Sequence, residues 1–419
     1  MSPRKHRFVR QKHIISYITL ILILAFGLRF FQLEKRTLFS GEATNELLAL
    51  QMLSTGKTPF PLGYPVATYI PNLYTTPWFW YLLLPVFNFF RGNPLVFIIL
   101  HPLLGTLGIY FLYRAGKLFH SEAAGLFAAF IYASWMVIIN IDRSVWNVGL
   151  IPFAVNLVLW AAVMAIRTNQ KKFFVLLGGL LGLAISLHYQ LIILTLGLLL
   201  WIGRKNRHYL PLVLLPIIFS FLPVLVYDTA HQFVTSIAFR QAVRSLADGS
   251  RQYSTNYFFY QFYPVLILIF GGWLAEASRK IVVGLLALFA VWQFNSFIAY
   301  RVNPNYAQRK IFIARLLAFW SPERGIPFIV NDRPYFEYGY LLLYFGRDRG
   351  VSADSITRLE HNDSVTKQAD ILRIRNLAVN LDAFSSFEAA ELINQGKAVL
   401  VIDEDRLKLL SVSSETQEK

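Results

Sequence analysis

The sequence predicts an all-α polytopic membrane protein that ends in a small α/β domain. Three observations predict it. Of 419 residues, 55% are hydrophobic and only 15% charged, which is more apolar surface than a soluble core of this size buries. The apolar residues gather into runs long enough to cross a bilayer. The Lys and Arg residues behind the formal net charge of +16 cluster in the short gaps between those runs, as they do in cytoplasmic loops. The bilayer, and not nucleic acid, is therefore the expected partner. The chain has no cysteine, so disulfides and thiolate metal sites play no part.

The elements follow in order. A basic stretch, Arg4 to His13, leads into the apolar run Ile14 to Phe31, which is long enough to span and has no small-residue cleavage site at its end. It reads as a retained first span with a cytoplasmic N-terminus. Further spans are expected at Leu95 to Tyr113, Ala123 to Ile139, Leu150 to Ile166, Phe173 to Leu187, Leu191 to Ile202, Leu210 to Tyr227, Phe258 to Leu274 and Ile281 to Ala299, about nine in all. The pair Phe173 to Leu187 and Leu191 to Ile202 is short for two crossings, which predicts tilted helices or a thinned bilayer.

One segment sets the sidedness of everything after it. Thr76 to Phe90, aromatic and interrupted by Pro85, either spans or lies in the interface. If it does not span, Arg114 with Lys117, Arg167 with Lys171 and Lys172, Arg204 with Lys205 and Arg207, and Arg279 with Lys280 all fall inside. If it spans, every one of those clusters moves outside. Charge placement thus makes it interfacial.

With that parity, four polar pieces share the outer face. The first loop carries FSGEATNE with Glu42 and Glu46, and the second carries DRSVWN with Asp142, Arg143, Trp146 and Asn147. A hairpin tip holds His188, Tyr189 and Gln190, and the exit from the next outward span, VYDTAHQF, holds Asp228 and His231.

These pieces, in this order, resemble the bacterial GT-C glycosyltransferases of the family 39 type, relatives of protein O-mannosyltransferases and aminoarabinose transferases. Glu42 matches the acidic position of an FSGD motif. Thr76, Pro77 and Trp78 match the aromatic-Pro segment that follows it. Asp142 to Gly149 resembles SR-x-x-WNPN, Ser186 to Gln190 resembles QxHYQ, and Pro223 to Phe233 resembles PFxxFDxxHxF. The likeness covers about the first 235 residues. It departs where Glu42 replaces the usual Asp and Val148 replaces the Pro of WNPN.

The resemblance implies transfer of a sugar from a polyprenyl-phosphate donor to an unidentified extracytoplasmic acceptor, with inversion and without an obligatory metal. Sugar transfer to a hydroxyl needs a general base, for which Glu42 is the candidate, with Glu46 beside it. The departing phosphate needs cationic or hydrogen-bonding partners, for which Arg143 and His231 are candidates. Trp146, Asn147, His188, Tyr189, Gln190 and Asp228 complete the expected donor end. Trp78, Trp80, Trp146 and Tyr189 offer faces to a sugar or a prenyl chain.

Plainer readings stand beside these. Glu42 and Glu46, one turn apart, fit the start of an amphipathic surface helix. Arg143 fits a headgroup anchor, His188 a helix cap, and Asp228 with His231 a local pair. A flippase or transporter would need ionisable residues or Gly/Pro breaks at mid-membrane and an internal repeat, and the span interiors are almost free of charge. A non-catalytic scaffold of the same fold is the other alternative.

After Tyr300 the composition turns polar. Residues 301–320 form a basic amphipathic connector and 321–410 the α/β domain, placed outside by parity. Strands are expected at Pro327 to Val330 and Ala398 to Ile402, and a helix at Ser386 to Asn394 with Ser385 and Glu388 spaced as a capping box. Residues 411–419 read as a disordered tail.

Overall fold

A computed structural model describes residues 3–39, 41–56, 73–247, 256–302, 305–318, 328–331, 339–351, 356–359, 378–381, 398–404 and 407–412. The helices in chain order are α1 (Pro3–Phe30), α2 (Leu33–Arg36), α3 (Gly41–Ser54), α4 (Trp78–Phe89), α5 (Pro94–Phe119), α6 (Glu122–Ser134), α7 (Met136–Asp142) and α8 (Ile151–Thr168). They continue with α9 (Lys171–Leu187), α10 (Leu191–Asn206), α11 (Leu210–Ala230), α12 (Val234–Ala247), α13 (Tyr263–Glu276), α14 (Arg279–Ala299), α15 (Tyr306–Ala318) and α16 (Gly339–Gly346). The chain divides into two compact units, one of residues 1–33, 52–89 and 96–300, the other of 34–51, 90–95 and 301–419.

The first unit is a helical bundle. Among the described residues, Pro94–Phe119, Asn147–Thr168, Leu191–Ala230 and Arg279–Ala299 are long and apolar enough to cross a membrane. Tyr17–Phe30, Trp78–Phe89 and Tyr263–Glu276 are shorter apolar helices. The protein is accordingly a multi-pass membrane protein. Pro85 lies inside α4, where the sequence places an interfacial segment.

Glycines let the bundle close. A methyl group at Gly178 of α9 would lie 2.3 Å from the Val213 carbonyl oxygen of α11, and one at Gly182 would lie 2.9 Å from Ser220 Cβ. The numbers rise together, so α9 and α11 run parallel and α10 returns between them. Phe174 against Tyr209, with ring centroids 4.3 Å apart, confirms the register at the other end. The tip at His188 therefore joins two antiparallel helices, as the short pair of apolar runs predicts.

The returning chain gathers the basic residues at one end. Arg167 donates to the Phe119 carbonyl at 2.7 Å, and Asn206 to the Asn169 side chain at 2.9 Å. His120 meets Glu276 at 3.1 Å. Lys171, Lys172, Arg204, Lys205 and Arg207 flank these contacts. The charge clusters that set parity in the sequence thus share one end of the bundle.

One expected span is not straight. Ala123 to Ile139 breaks at Trp135 into α6 and α7, which bend by 68°, with no Pro or Gly at the break. The Gln293 side chain of α14 supplies the missing partner, accepting the Met136 N–H at 2.6 Å. That contact replaces the helical hydrogen bond lost at the bend.

The second unit holds α2, most of α3, α15, α16 and a sheet. Phe39 packs on Tyr306, whose N–H points to the Thr37 carbonyl. Five strands, β1 (Phe328–Asn331), β2 (Ile356–Leu359), β3 (Ala378–Leu381), β4 (Ala398–Glu404) and β5 (Leu407–Val412), form a mixed sheet in the order β2-β1-β3-β5-β4. β1 runs parallel to β2 and β3, while β5 is antiparallel to β3 and β4. β5 includes Ser411 and Val412, so the segment read as a tail begins inside a strand, because those residues pair with β4. The helix expected at Ser386 to Asn394 lies outside the described residues.

Candidate functional site

At the bundle end opposite the basic cluster, most of the polar residues singled out in the sequence come together. The organising feature is a buried ion pair. The guanidinium of Arg29, at the end of α1, reaches one oxygen of Asp142 through Nε and Nη2, each at 2.8 Å, and the two side chains are 0% and 1% exposed. Nη1 of Arg29 also donates to the Ala133 carbonyl at 2.9 Å. Gly105 of α5 makes room for the pair, since a methyl there would lie 2.3 Å from the Asp142 carboxyl carbon.

Arg143 answers in the other direction. It donates through Nε to the Arg29 carbonyl at 2.9 Å and through Nη2 to the carbonyls of Phe31, at 3.0 Å, and Leu28. These are carbonyls at the end of α1 that no helical N–H reaches, and a cation there complements the helix dipole. Asp142 and Arg143 together clasp α1 to α7.

The turn after α7 then places Trp146 and Asn147. Asn147 donates to the Leu187 carbonyl at 2.8 Å and accepts from the Val148 N–H at 2.8 Å, which ties the second loop to the end of α9. Gly149 is required here, because a methyl would lie 2.5 Å from the Ser144 carbonyl. Trp146 stands edge-on to Tyr257, with ring centroids 5.4 Å apart.

The tip is held by backbone and ring contacts. His188 adopts extended backbone as the C-cap of α9, and its Nδ1 accepts the Gln190 N–H at 3.2 Å. Its ring meets Tyr257 edge-on at 5.6 Å. Burial pushes its pKa down to about 4, so the ring is neutral near pH 7. Tyr189 donates to the Tyr74 carbonyl at 2.6 Å and Gln190 to the Tyr257 carbonyl at 3.3 Å.

Asp228 and His231 do not pair. Gln232 and Phe233 are both left-handed, with φ of 56° and 58°, and the chain doubles back. The buried Asp228 carboxylate therefore accepts the N–H groups of Thr235 and Ser236, each at 2.9 Å, and the Ser236 hydroxyl at 2.6 Å. It caps α12. His231 is exposed, stacks on Tyr227 with centroids 3.9 Å apart, and bonds the Tyr227 carbonyl through Nδ1 at 2.8 Å.

The aromatic-Pro segment is anchored at the same end. Ser186 donates to the Thr76 carbonyl at 2.6 Å and accepts the Phe79 N–H at 2.9 Å, while Trp78 donates to the Ser220 carbonyl at 2.9 Å. Trp80 is fully buried and bonded to Thr75, so it offers no face to a ligand. One turn in from this end, Phe79, Leu104, Leu150, Leu157, Leu180 and Leu187 line a small apolar slot.

Glu42 and Glu46 belong to the second unit, in α3. Glu46 is buried, whereas the Glu42 side chain lies outside the described residues. Among the described residues, no three His, Asp or Glu side chains gather as metal ligands. Arg29, Gln293 and Tyr257 were missed in the sequence. Arg29 had a signal, as a lone arginine closing an apolar run, while Gln293 and Tyr257 had none.

The fold is similar to that of solved structures of ArnT. The chain is similar along 96% of its length to ArnT from Cupriavidus metallidurans bound to undecaprenyl phosphate, covering 99% of that chain with a TM-score of 0.53 at 12% identity. The apo form of the same protein is matched with a TM-score of 0.51 at 11% identity, over 98% of this chain and 100% of that one. The oligosaccharyltransferase of Archaeoglobus fulgidus with a tethered acceptor peptide is matched over 79% of this chain and 62% of that one, with a TM-score of 0.45 at 12% identity. No protein-family model matches the sequence, and no curated protein matches it.

Proposed function

We propose that this chain is a membrane glycosyltransferase that moves a sugar from a polyprenyl-phosphate donor to an extracytoplasmic lipid, protein or glycan acceptor. The observation that carries this reading is the end-to-end likeness to ArnT, a protein whose solved structure holds undecaprenyl phosphate, together with the polar end built around Asp142 and His188. In this reading the chain crosses the inner membrane about nine times, the basic end is cytoplasmic and the polar end faces outward. The α/β domain, 321–410, is then extracytoplasmic as well.

Glu42 is the general base that accepts the acceptor's proton as it attacks the anomeric carbon, with Glu46 one turn behind it. Attack opposite the leaving phosphate inverts that carbon, and the reaction needs no resident metal. Trp146, His188, Tyr189 and Gln190 form the donor end. Arg143, Asn147 and Asp228 hold its elements in place, and His231 is an exposed hydrogen-bonding group after α11. The apolar lining of the slot matches the chemistry of a carrier tail.

The test is mass spectrometry of envelope glycans, glycolipids and glycoproteins from cells with and without the gene, complemented by wild type or Glu42→Gln. A glycan lost on deletion and restored by wild type alone supports the reading. Full restoration by Glu42→Gln removes Glu42 as base, and an unchanged glycan profile on deletion contradicts the reading.

A further inference from the structure

α12 has two faces that differ in what they touch. Thr235 and Ala238 are buried and Ala242 is partly buried, with Ala238 packed beside Leu73. Phe233, Ile237, Arg240 and Arg244 recur at helical spacing on the opposite side. There Phe233 is 53% exposed and Ile237 51%, with Val243 exposed at the margin, while Phe239 turns back to meet Tyr189 edge-on. Both arginines are exposed, and α12 contains no Asp or Glu. Its outer face is thus apolar and cationic at once.

Such a face suits a bilayer surface, where the rings and aliphatic groups enter the acyl boundary and the guanidinium groups reach back to phosphate oxygens. Two further features favour it. α12 follows α11 directly, and α11 lies in a segment apolar enough to span, with Leu222, Leu225 and Val226 exposed at its end. The capping carboxylate Asp228 and the doubled-back turn fix α12 at the mouth of that span. A second copy packed face to face about a two-fold axis would oppose arginine to arginine, which disfavours a dimer there.

We propose that α12 is an interfacial helix on which Arg240 and Arg244 bind the phosphate groups of anionic phospholipids. The site recognises headgroup charge and is independent of sugar transfer. It also anchors the loop that follows α11 against the leaflet.

Because the chain has no cysteine, a nitroxide on Ile237→Cys reports this position alone in the full-length protein. Reconstitution in phosphatidylcholine vesicles, with and without phosphatidylglycerol, gives label depth from collision with oxygen and with a water-soluble nickel chelate. Native mass spectrometry of the protein released from mixed vesicles gives the retained lipids. The expected label sits in the headgroup–acyl boundary. Phosphatidylglycerol is retained over phosphatidylcholine by about fivefold for each arginine, and the preference collapses in the Arg240→Gln/Arg244→Gln variant at unchanged melting temperature. A label open to the nickel chelate overturns the proposal, as does one shielded from both reagents. Equal retention of the two lipids by wild type, or a preference unchanged in the double variant, overturns it as well.

Discussion

The clasp between α1 and α7 makes a sharp prediction about stability. Arg29→Met removes the cation and leaves the Asp142 carboxylate, 1% exposed, with no compensating charge. It also strips a donor from the Ala133 carbonyl. Breaking a buried pair from one side costs about 3–5 kcal/mol, because the orphaned charge keeps its desolvation penalty. Asp142→Leu strands Arg29 in the same way and belongs in the same range. The double variant Arg29→Met/Asp142→Leu removes both charges, so it regains most of the loss, and the coupling between the two positions is several kcal/mol. Gly105→Ala acts on the same pair from outside, by driving a methyl group to within 2.3 Å of the Asp142 carboxyl carbon. The assay is thermal unfolding of purified protein in detergent, followed by near-ultraviolet circular dichroism, across the double-mutant cycle. Additive losses at the two positions would refute the clasp, as would a Gly105→Ala protein that melts with wild type.

Three further predictions concern the polar end and its supports. Gly178→Ala presses a methyl group against the Val213 carbonyl and is expected to lower stability by about 1–3 kcal/mol, whereas Gly179→Ala, with nothing within 4 Å, leaves it equal or higher; melting temperatures decide between them. Asp228→Ala removes the cap of α12 at a cost of about 0.5–2 kcal/mol, and hydrogen exchange at Thr235 and Ser236 should accelerate while the α9 core stays protected. His188 is held at about 4 against an ordinary 6.5, so between those values the unfolded chain binds the proton and the folded one does not. Stability therefore rises with pH across that window, by up to about 3 kcal/mol, and falls as pH drops from 6.5 to 4; His188→Gln should flatten that part of the pH profile of melting temperature.

The bundle was legible in the sequence because membrane insertion writes itself into local runs. Apolar length marks the helices, and basic gaps mark one end, which is where Arg167, Lys171 and Arg204 gather. The His188 tip was legible for the same reason, as a short polar break between two apolar runs. What was not legible depends on partners far away in the chain. The bend at Trp135 has no local breaker, since its backbone is satisfied by Gln293 from α14. Arg143 reads locally as a cation for phosphate or headgroup, yet its bonds go to carbonyls of α1 more than 110 positions earlier. Asp228 and His231 have pair spacing, but two left-handed residues redirect the carboxylate to α12. For Arg143, Asp228 and His231 the residue type was informative, and in all three cases the partner was set by tertiary packing.

The central claim is that the protein uses a lipid-linked sugar. Its most direct test is sugar transfer by the purified full-length protein in proteoliposomes, supplied with undecaprenyl-phosphate-linked sugars and an envelope extract as acceptor. The account predicts release of undecaprenyl phosphate that requires both the acceptor and the protein, and that Glu42→Gln abolishes. Well-folded protein that consumes none of a panel of such donors would contradict it.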